Sequence, residues 1–117
     1  MSNRKSLAAL LFSISVLSGC NDKGADFVGT WHYGSEHTET NIVITKEERS
    51  NHYHIDISQK DISWGDKKFE PYITLEAEAT SNDRLEVIGP ASAMISDFRL
   101  KDNILTMPNG NHYNKVK

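Results

Sequence analysis

The chain has 117 residues and a formal net charge of −3 at pH 7. Without residues 1–19, 11 basic and 16 acidic side chains remain, a formal balance of −5. A chain of this size holds one hydrophobic core and has no room for a second domain. The acidic balance argues against nucleic acid or an anionic lipid surface as the partner, because both require a basic surface.

The first residues have the layout of a secretory signal. Arg4 and Lys5 precede an apolar stretch over residues 7–17, and the small residues Ser18 and Gly19 follow it. The stretch is too short to span a bilayer core, which needs about 18 consecutive apolar residues. We therefore expect residues 1–19 to be a cleaved signal.

The only cysteine of the chain, Cys20, closes this segment. The run Leu17-Ser18-Gly19-Cys20 resembles the lipobox of bacterial lipoproteins. The resemblance implies cleavage between Gly19 and Cys20, a diacylglyceryl group on the Cys20 thiol, and an acylated new N-terminus. Two alternatives remain open at this point: a free thiol on an uncleaved signal, or an intermolecular disulfide.

The residues after the cysteine indicate where such a protein would reside. In lipoproteins an aspartate directly after the cysteine favours the inner membrane, and here Asn21 occupies that place. We expect a lipid-anchored protein of the cell envelope on the periplasmic face of the outer membrane. Several acyl chains on one residue hold firmly, whereas one chain binds only marginally. Residues 20–26 are then a lipidated N-terminus and short tether, and residues 27–117 a single domain.

Apolar residues of this domain recur at every second position, the period of half-buried strands. The pattern is clearest from Ile73 to Ala79, where apolar residues alternate with Thr74, Glu76 and Glu78. The same parity occurs in Ile42 and Ile44, in Tyr53, Ile55 and Ile57, and in Leu85 and Val87.

Turn-forming residues separate these runs, and Pro108-Asn109-Gly110 predicts a hairpin between strands at 103–107 and 111–116. The sequence predicts an all-β fold of about seven to eight short strands, an antiparallel meander that forms a barrel or a small sandwich. Residues 90–99 leave two interpretations. Pro90, Ala91, Met94, Ile95 and Phe98 fit a short helix, whereas Met94, Phe98 and Leu100 fit one face of a strand.

The first predicted strand opens with Gly29, Thr30 and Trp31. This is similar to the Gly-x-Trp start of lipocalins, in which the tryptophan plugs the closed end of a barrel beneath a cavity. The resemblance implies a carrier of a small hydrophobic ligand. The alternative is that Trp31 is a large core residue and that Gly29 allows close backbone packing. Both interpretations bury Trp31 at the base of the barrel.

Polar residues alternate with apolar ones from His52 to Ile57, so His52, His54 and Asp56 are expected on one strand face. Imidazole and carboxylate groups bind Zn²⁺ or Cu²⁺, but neighbours on one strand face stand almost 7 Å apart. A solvated outer face is the alternative, and no metal site is favoured. His32, His37 and His112 are further histidines whose positions relative to this strand the sequence does not indicate.

The segment from Trp64 to Tyr72 combines aromatic rings and cations on one loop. We expect a contact surface for a ligand or partner there, because aromatic residues are enriched at interfaces; its members are Trp64, Lys67, Lys68, Phe69 and Tyr72. The alternative is that Trp64 and Phe69 fold back over the barrel mouth.

The chain has no Gly-x-Ser-x-Gly elbow and no Gly-rich phosphate loop. We therefore expect no cofactor and no catalysis. The predicted function is binding of an envelope or periplasmic protein by a membrane-anchored domain; the alternative is a lipocalin-like carrier.

Overall fold

The computed structural model describes residues 23–63 and 68–116. Eight strands follow one another: β1 (Gly29–Gly34), β2 (Thr38–Lys46), β3 (His52–Asp61), β4 (Glu70–Ser81), β5 (Arg84–Ile88), β6 (Asp97–Lys101), β7 (Ile104–Thr106) and β8 (His112–Val116). Two short 3₁₀ segments, Ala25–Phe27 and Pro90–Ala93, complete the described elements. Among these residues no helix has the length and apolar character that a membrane crossing requires.

The strands form a meander that closes on itself. Each strand pairs antiparallel with the next, and β8 pairs with β1. The closing contact places Val116 opposite Thr30 and Lys115 opposite Trp31. The predicted all-β antiparallel meander of about eight strands is confirmed, and it is a barrel, not a sandwich. Closure removes the long free edges that an open sheet would expose.

The barrel interior is built from the alternating apolar positions that the sequence indicates. On β2, β3 and β4 every second residue points inward. The fully buried large side chains come from strands β1 to β7 and from the 3₁₀ segment before β1: Trp31, Tyr53, Phe27, Phe98, Ile42, Ile44, Ile55, Leu75, Leu85 and Leu105. Burial of such side chains stabilises by roughly 1.5–3 kcal/mol each before the entropy cost of ordering.

Two hairpin turns show how local chemistry shapes the meander. Leu105 on β7 lies opposite Tyr113 on β8, so the hairpin predicted around Pro108-Asn109-Gly110 is present. Gly110 there has φ of 90°. The turn between β6 and β7 is tighter: Asp102 and Asn103 have φ of 52° and 63°. Two successive positive φ values define a turn whose twist matches that of the flanking strands.

The short helix considered for residues 90–99 does not form. The chain makes one 3₁₀ turn at Pro90–Ala93 and then enters β6, where Phe98 pairs with Leu85 and is fully buried. Met94 lies before the strand, and its side chain is exposed. Strand pairing wins because β5 needs a backbone partner to continue the closed sheet, which a helix does not supply.

The segment before β1 seals one end of the barrel. Phe27 is fully buried, and its carbonyl accepts a hydrogen bond of 2.9 Å from Trp31 Nε1. The Tyr53 hydroxyl donates to the carbonyl of Lys23. Gly24, with φ of 78°, is so enclosed that a Cβ there would lie 3.1 Å from that of Ala79. Residues 23–26, which the sequence assigns to the tether, therefore pack against the barrel.

The alternating strand directions define two ends. The N-terminal end carries the segment Lys23–Phe27 and the connections at residues 47–51, 82–83 and 102–103. The far end carries the connections at residues 35–37, 89–96 and 107–111, and the described parts, 62–63 and 68–69, of the connection between β3 and β4.

Candidate functional site

The predicted contact loop lies at the far end, where β3 passes into β4. Trp64 and Lys67 are outside the described residues. Lys68 is exposed, and Phe69 is half-buried with Lys60 Nζ 5.0 Å above its ring. Tyr72 lies within β4, and 57% of its surface is exposed. The structure therefore places Tyr72 as an accessible aromatic side chain on a rigid strand.

A polar depression of about 380 Å³ opens beside Tyr72. Its lining comes from the far ends of β2, β3 and β4: His37, Thr38, Gln59, Asp61, Ser63, Glu70, Pro71 and Tyr72. We call it the Tyr72 depression. His37 Nδ1 lies 3.1 Å from Ser63 Oγ, and the Ile62 amide donates to the His37 carbonyl over 2.9 Å. These bonds tie the β1–β2 connection to the end of β3, so the wall of the depression is structurally defined.

The same part of β4 lacks a strand partner on one side. Pairing with β3 runs from Glu70 to Glu78, but pairing with β5 begins only where Glu76 meets Ile88. Beyond Ile88 the chain turns away at Gly89, with φ of 84°, into the 3₁₀ turn. Residues 70–75, which we call the β4 edge, pair with no described strand on that side.

A groove of about 410 Å³ continues the β4 edge towards the N-terminal end. One wall is β4, with Thr74 and Glu76 from its outer face; the opposite wall comprises Ile88, Gly89, Pro90 and Ala91. A strand edge beside a groove is the arrangement to which proteins add an extended peptide, with backbone bonds for affinity and side-chain pockets for specificity.

Three residues singled out in the sequence meet on the outer face of β3. His52 Nε2 lies 2.5 Å from Glu76 Oε1, and His54 Nδ1 lies 2.5 Å from Glu76 Oε2. His54 Nε2 is also 3.3 Å from Asp56 Oδ1. Because an ionised carboxylate only accepts, the ring nitrogens donate to Glu76. Glu76 is thus the group that joins the two histidines, and we call these four residues the histidine network.

The histidine network changes two pKa values. The hydrogen bond from His52 lowers the pKa of the Glu76 carboxyl, and the bond from His54 adds to this effect. The hydrogen bond with Glu76 raises the pKa of His54, and the charge of Asp56 acts in the same direction. Each shift favours the charged form, as expected for opposite charges in contact.

The described residues contain no group of three His, Cys, Asp or Glu side chains arranged to hold a metal ion. The nitrogens of His52 and His54 point at the Glu76 carboxylate. The other histidines have separate local partners. His32 lies 2.8 Å from Glu39, and His112 lies 3.1 Å from Thr106. The structure therefore does not gather these side chains into one cleft.

At the opposite end of the barrel, Gly29 and Trp31 lie where both sequence interpretations place them. Trp31 is fully buried, with Lys115 Nζ 5.4 Å from the ring centroid. Gly29 has φ of 140°, and a Cβ there would lie 2.8 Å from Lys115 Cε. A glycine at this position lets the β1 backbone lie close beneath the Lys115 side chain, which covers the tryptophan.

No protein-family model, curated protein or solved structure matches this chain. Gly19 and Cys20 lie outside the described residues, so the anchor rests on its sequence motif.

Two features of the site were not among the sequence-based predictions. One is the role of Glu76. The alternation of polar and apolar residues places Glu76 on the solvent-facing side of β4, but its neighbours on β3 depend on the register between the two strands. The other is the β4 edge. Its local signals are Pro71, a residue that strands carry mainly at an edge, and the tandem Gly89-Pro90, which shows where β5 cannot continue.

Proposed function

We propose that this protein is a lipid-anchored lipoprotein of the bacterial envelope whose barrel binds a protein partner without catalysing a reaction. The observation that carries the proposal is the exposed Tyr72 at the junction of the Tyr72 depression and the β4 edge. The anchoring half of the proposal is supported by the motif Leu17-Ser18-Gly19-Cys20.

The partner contributes an extended segment that adds to the β4 edge. Six residues of β4 offer about 20 Å of strand, at about 3.3 Å per residue. Tyr72 supplies an aromatic contact, and aromatic residues dominate the binding energy of many interfaces. Pro71 limits indiscriminate pairing along the edge because it has no amide hydrogen to donate.

The charge of the domain favours a basic partner. Acidic residues outnumber basic ones in the segment after Cys20, and Glu70, Glu76 and Glu78 all lie along β4. Complementary charge raises the association rate and disfavours acidic competitors. An anchored binder of basic exported proteins, such as an inhibitor, fits this charge.

Photo-crosslinking tests the proposed binding surface. A photoreactive amino acid replaces Tyr72 in the full chain, and a control places it at Asn114 on the outer wall of β8. We expect an adduct with one envelope protein from position 72 only. With that protein purified, Tyr72→Ala should weaken binding at least about tenfold, whereas Asn114→Ala should not. Equal adducts at both positions, or unchanged affinity of Tyr72→Ala, would contradict the proposal.

Mass spectrometry of the protein extracted from membranes tests the anchor separately. We expect Cys20 as the first residue, carrying acyl chains, and loss of membrane association in Cys20→Ser. An intact Met1 or an unmodified thiol would contradict it.

A carrier function is the second candidate, favoured by the closed eight-stranded meander whose first strand opens with Gly29-Thr30-Trp31. Eight-stranded barrels are wide enough either for side chains to fill them or to hold one small ligand. The large, fully buried side chains of Trp31, Tyr53 and Phe98 favour a barrel that is filled by its own side chains. Micromolar binding of a fluorescent fatty acid, displaced by unlabelled fatty acid, would support the carrier.

A further inference from the structure

We infer that the N-terminal end of the barrel lies directly on the membrane surface and that the aliphatic side chains around it contact lipid. The inference rests on the proposed acylation of Cys20. It goes beyond that proposal because it assigns an orientation and a second membrane-contacting surface.

The first argument is the short distance available to the chain. Lys23 is held at the N-terminal end by the Tyr53 hydroxyl, and Gly24 is enclosed by barrel side chains. Only three peptide units separate Lys23 from Cys20. Whatever path they take, they span at most about 11 Å, because a chain reaches no more than about 3.6 Å per residue. The peptide between the anchor residue and the barrel therefore adds at most about 11 Å to the separation of the barrel end from the lipid surface.

The second argument is an exposed aliphatic surface beside that end. Val28 precedes β1, Ile104 opens β7 and Val116 ends β8, and all three are exposed. Val43 on β2 joins them, since Thr30 lies opposite both Val43 and Val116. These four exposed residues lie on or beside the neighbouring strands β7, β8, β1 and β2, and we call them the aliphatic patch. Exposed apolar side chains that cluster in this way indicate an interaction surface.

The third argument is the distribution of charge. Among the described residues, the N-terminal end carries slightly more basic than acidic side chains: Lys23, Lys46, Arg49, Arg84, Lys101 and Lys115 against Asp26, Glu47, Glu48, Asp83 and Asp102. The acidic excess of the described residues therefore lies on the barrel walls and the far end. A net negative surface would be repelled by anionic phospholipids, and this orientation keeps it away from them.

Lipid contact at the N-terminal end directs the Tyr72 depression away from the membrane. The ten residues of β3 span the barrel. At about 3.3 Å per residue and a tilt of about 40°, they place the far end about 25 Å above the lipid surface. A partner in the aqueous phase then reaches Tyr72 without obstruction by the bilayer.

Fluorescence quenching on vesicles tests the orientation. The acylated full chain is reconstituted into vesicles of phosphatidylethanolamine and phosphatidylglycerol that contain lipid with a nitroxide on its headgroup. Because the only native cysteine is the acylated one, an introduced cysteine carries the fluorophore alone. Labels at Glu48→Cys and Asn82→Cys report the N-terminal end, and labels at Glu36→Cys and Met94→Cys report the far end.

We expect the N-terminal labels to be quenched at least about threefold more strongly than the far-end labels, given the separation of about 25 Å between the ends. Equal quenching of an acylated protein would overturn the orientation and leave the proposed anchor intact. An unacylated product would overturn both. Circular dichroism of each labelled chain establishes that the barrel is folded.

A second measurement tests the aliphatic patch itself. A label at Asn114→Cys lies on the outer face of β8, near Val116. We expect the double variant Val28→Ser, Val116→Ser to lower the quenching of the label at position 114 by about half, because the barrel tilts away from the lipid. The matched variant Met94→Ser, at an exposed far-end position, should leave it unchanged. Unchanged quenching in the double variant would overturn the lipid contact of the patch.

Discussion

Glu76 on β4 lies directly opposite His54 on β3, and Glu76 Oε1 is 2.5 Å from Nε2 of His52. A single carboxylate thus links two histidines that are separated along one strand. The contacts place these histidines in a charged network on the outer wall of the barrel. They also make the stability of the protein depend on pH in a defined direction.

The first prediction concerns that pH dependence. The pKa of His54 is raised above 6.5. Its contribution to the stability of the folded protein is therefore complete below that pH and is lost as pH rises through the raised value. The pKa of Glu76 is lowered below 4.5, so its contribution is present above that pH and is lost as pH falls through the lowered value. The network therefore stabilises most between about pH 4.5 and 6.5.

Glu76→Gln tests this window. The side chains of His54 and Glu76 are both more than 40% exposed. We therefore expect the variant to lower the free energy of unfolding by less than about 1 kcal/mol at pH 5.5, and by a smaller amount at pH 8.5. Urea unfolding at the two pH values measures the difference, and an NMR titration should show the pKa of His54 falling towards its ordinary value. Glu78→Gln, an exposed glutamate on the same face, is the control. An equal loss at both pH values would contradict the prediction.

The second prediction concerns Trp31 and the carbonyl of Phe27. Trp31→Ala removes a fully buried side chain and should lower the free energy of unfolding by about 3–5 kcal/mol. Trp31→Phe keeps a ring but leaves the carbonyl without its donor, at a cost of about 1–3 kcal/mol. Denaturant unfolding gives both values. Tyr72→Ala, at an exposed position, should change the free energy by less than about 0.5 kcal/mol.

The third prediction concerns the hydrogen bond from Tyr53 to Lys23. Tyr53→Phe keeps the buried ring and removes only the donor, so we expect a loss of about 1 kcal/mol. Hydrogen exchange at residues 24–28 should become faster, since this bond holds the segment against the barrel. Tyr33→Phe is the control, because the Tyr33 hydroxyl bonds to no described residue. Unchanged exchange in Tyr53→Phe would contradict the prediction and would leave the Trp31 hydrogen bond and the packing of Phe27 as the contacts that hold the segment.

The fourth prediction concerns Gly29, whose φ of 140° is rarely adopted by residues with a side chain. Gly29→Ala should lower the free energy of unfolding by about 1–2 kcal/mol, because the strain of a positive φ adds to the displacement of the Lys115 side chain. Gly34→Ala on the same strand is the matched control, since a Cβ there would meet only ordinary contacts at 3.6 Å or more. Thermal unfolding of both variants measures the contrast, and equal midpoints would contradict it.

The fifth prediction concerns the turn at Asp102 and Asn103. Asn103 has φ of 63°, which asparagine and glycine tolerate and a β-branched residue does not. Asn103→Val should lower the free energy of unfolding by about 1–2 kcal/mol, whereas Asn103→Gly should change it by less than about 0.5 kcal/mol. Urea unfolding of the two variants distinguishes them, and similar losses in both would argue that the side chain matters more than the backbone conformation.

Local pattern predicted much of this fold because strand periodicity is a short-range property. Ile55, Leu75 and Val87 are buried where alternation placed them, since consecutive side chains of any strand point to opposite faces. The segment at residues 90–99 was ambiguous for the same reason. Apolar residues at 91, 94, 95 and 98 satisfy helical spacing locally, and only the pairing of Phe98 with Leu85 decides for a strand.

The amino-acid sequence by itself determined the all-β class, the strand-by-strand division of dry and wet faces, the hairpin at residues 108–110 and the lipobox-like motif, because each depends on neighbours within about ten residues. Tertiary structure alone decided closure through β1 and β8, the union of His52 and His54 through Glu76, and the open edge of β4. The β1–β8 and histidine–Glu76 contacts join residues more than 20 positions apart, and the open edge depends on where the pairing of β4 with β5 ends; all three depend on how the eight strands fit around one shared core.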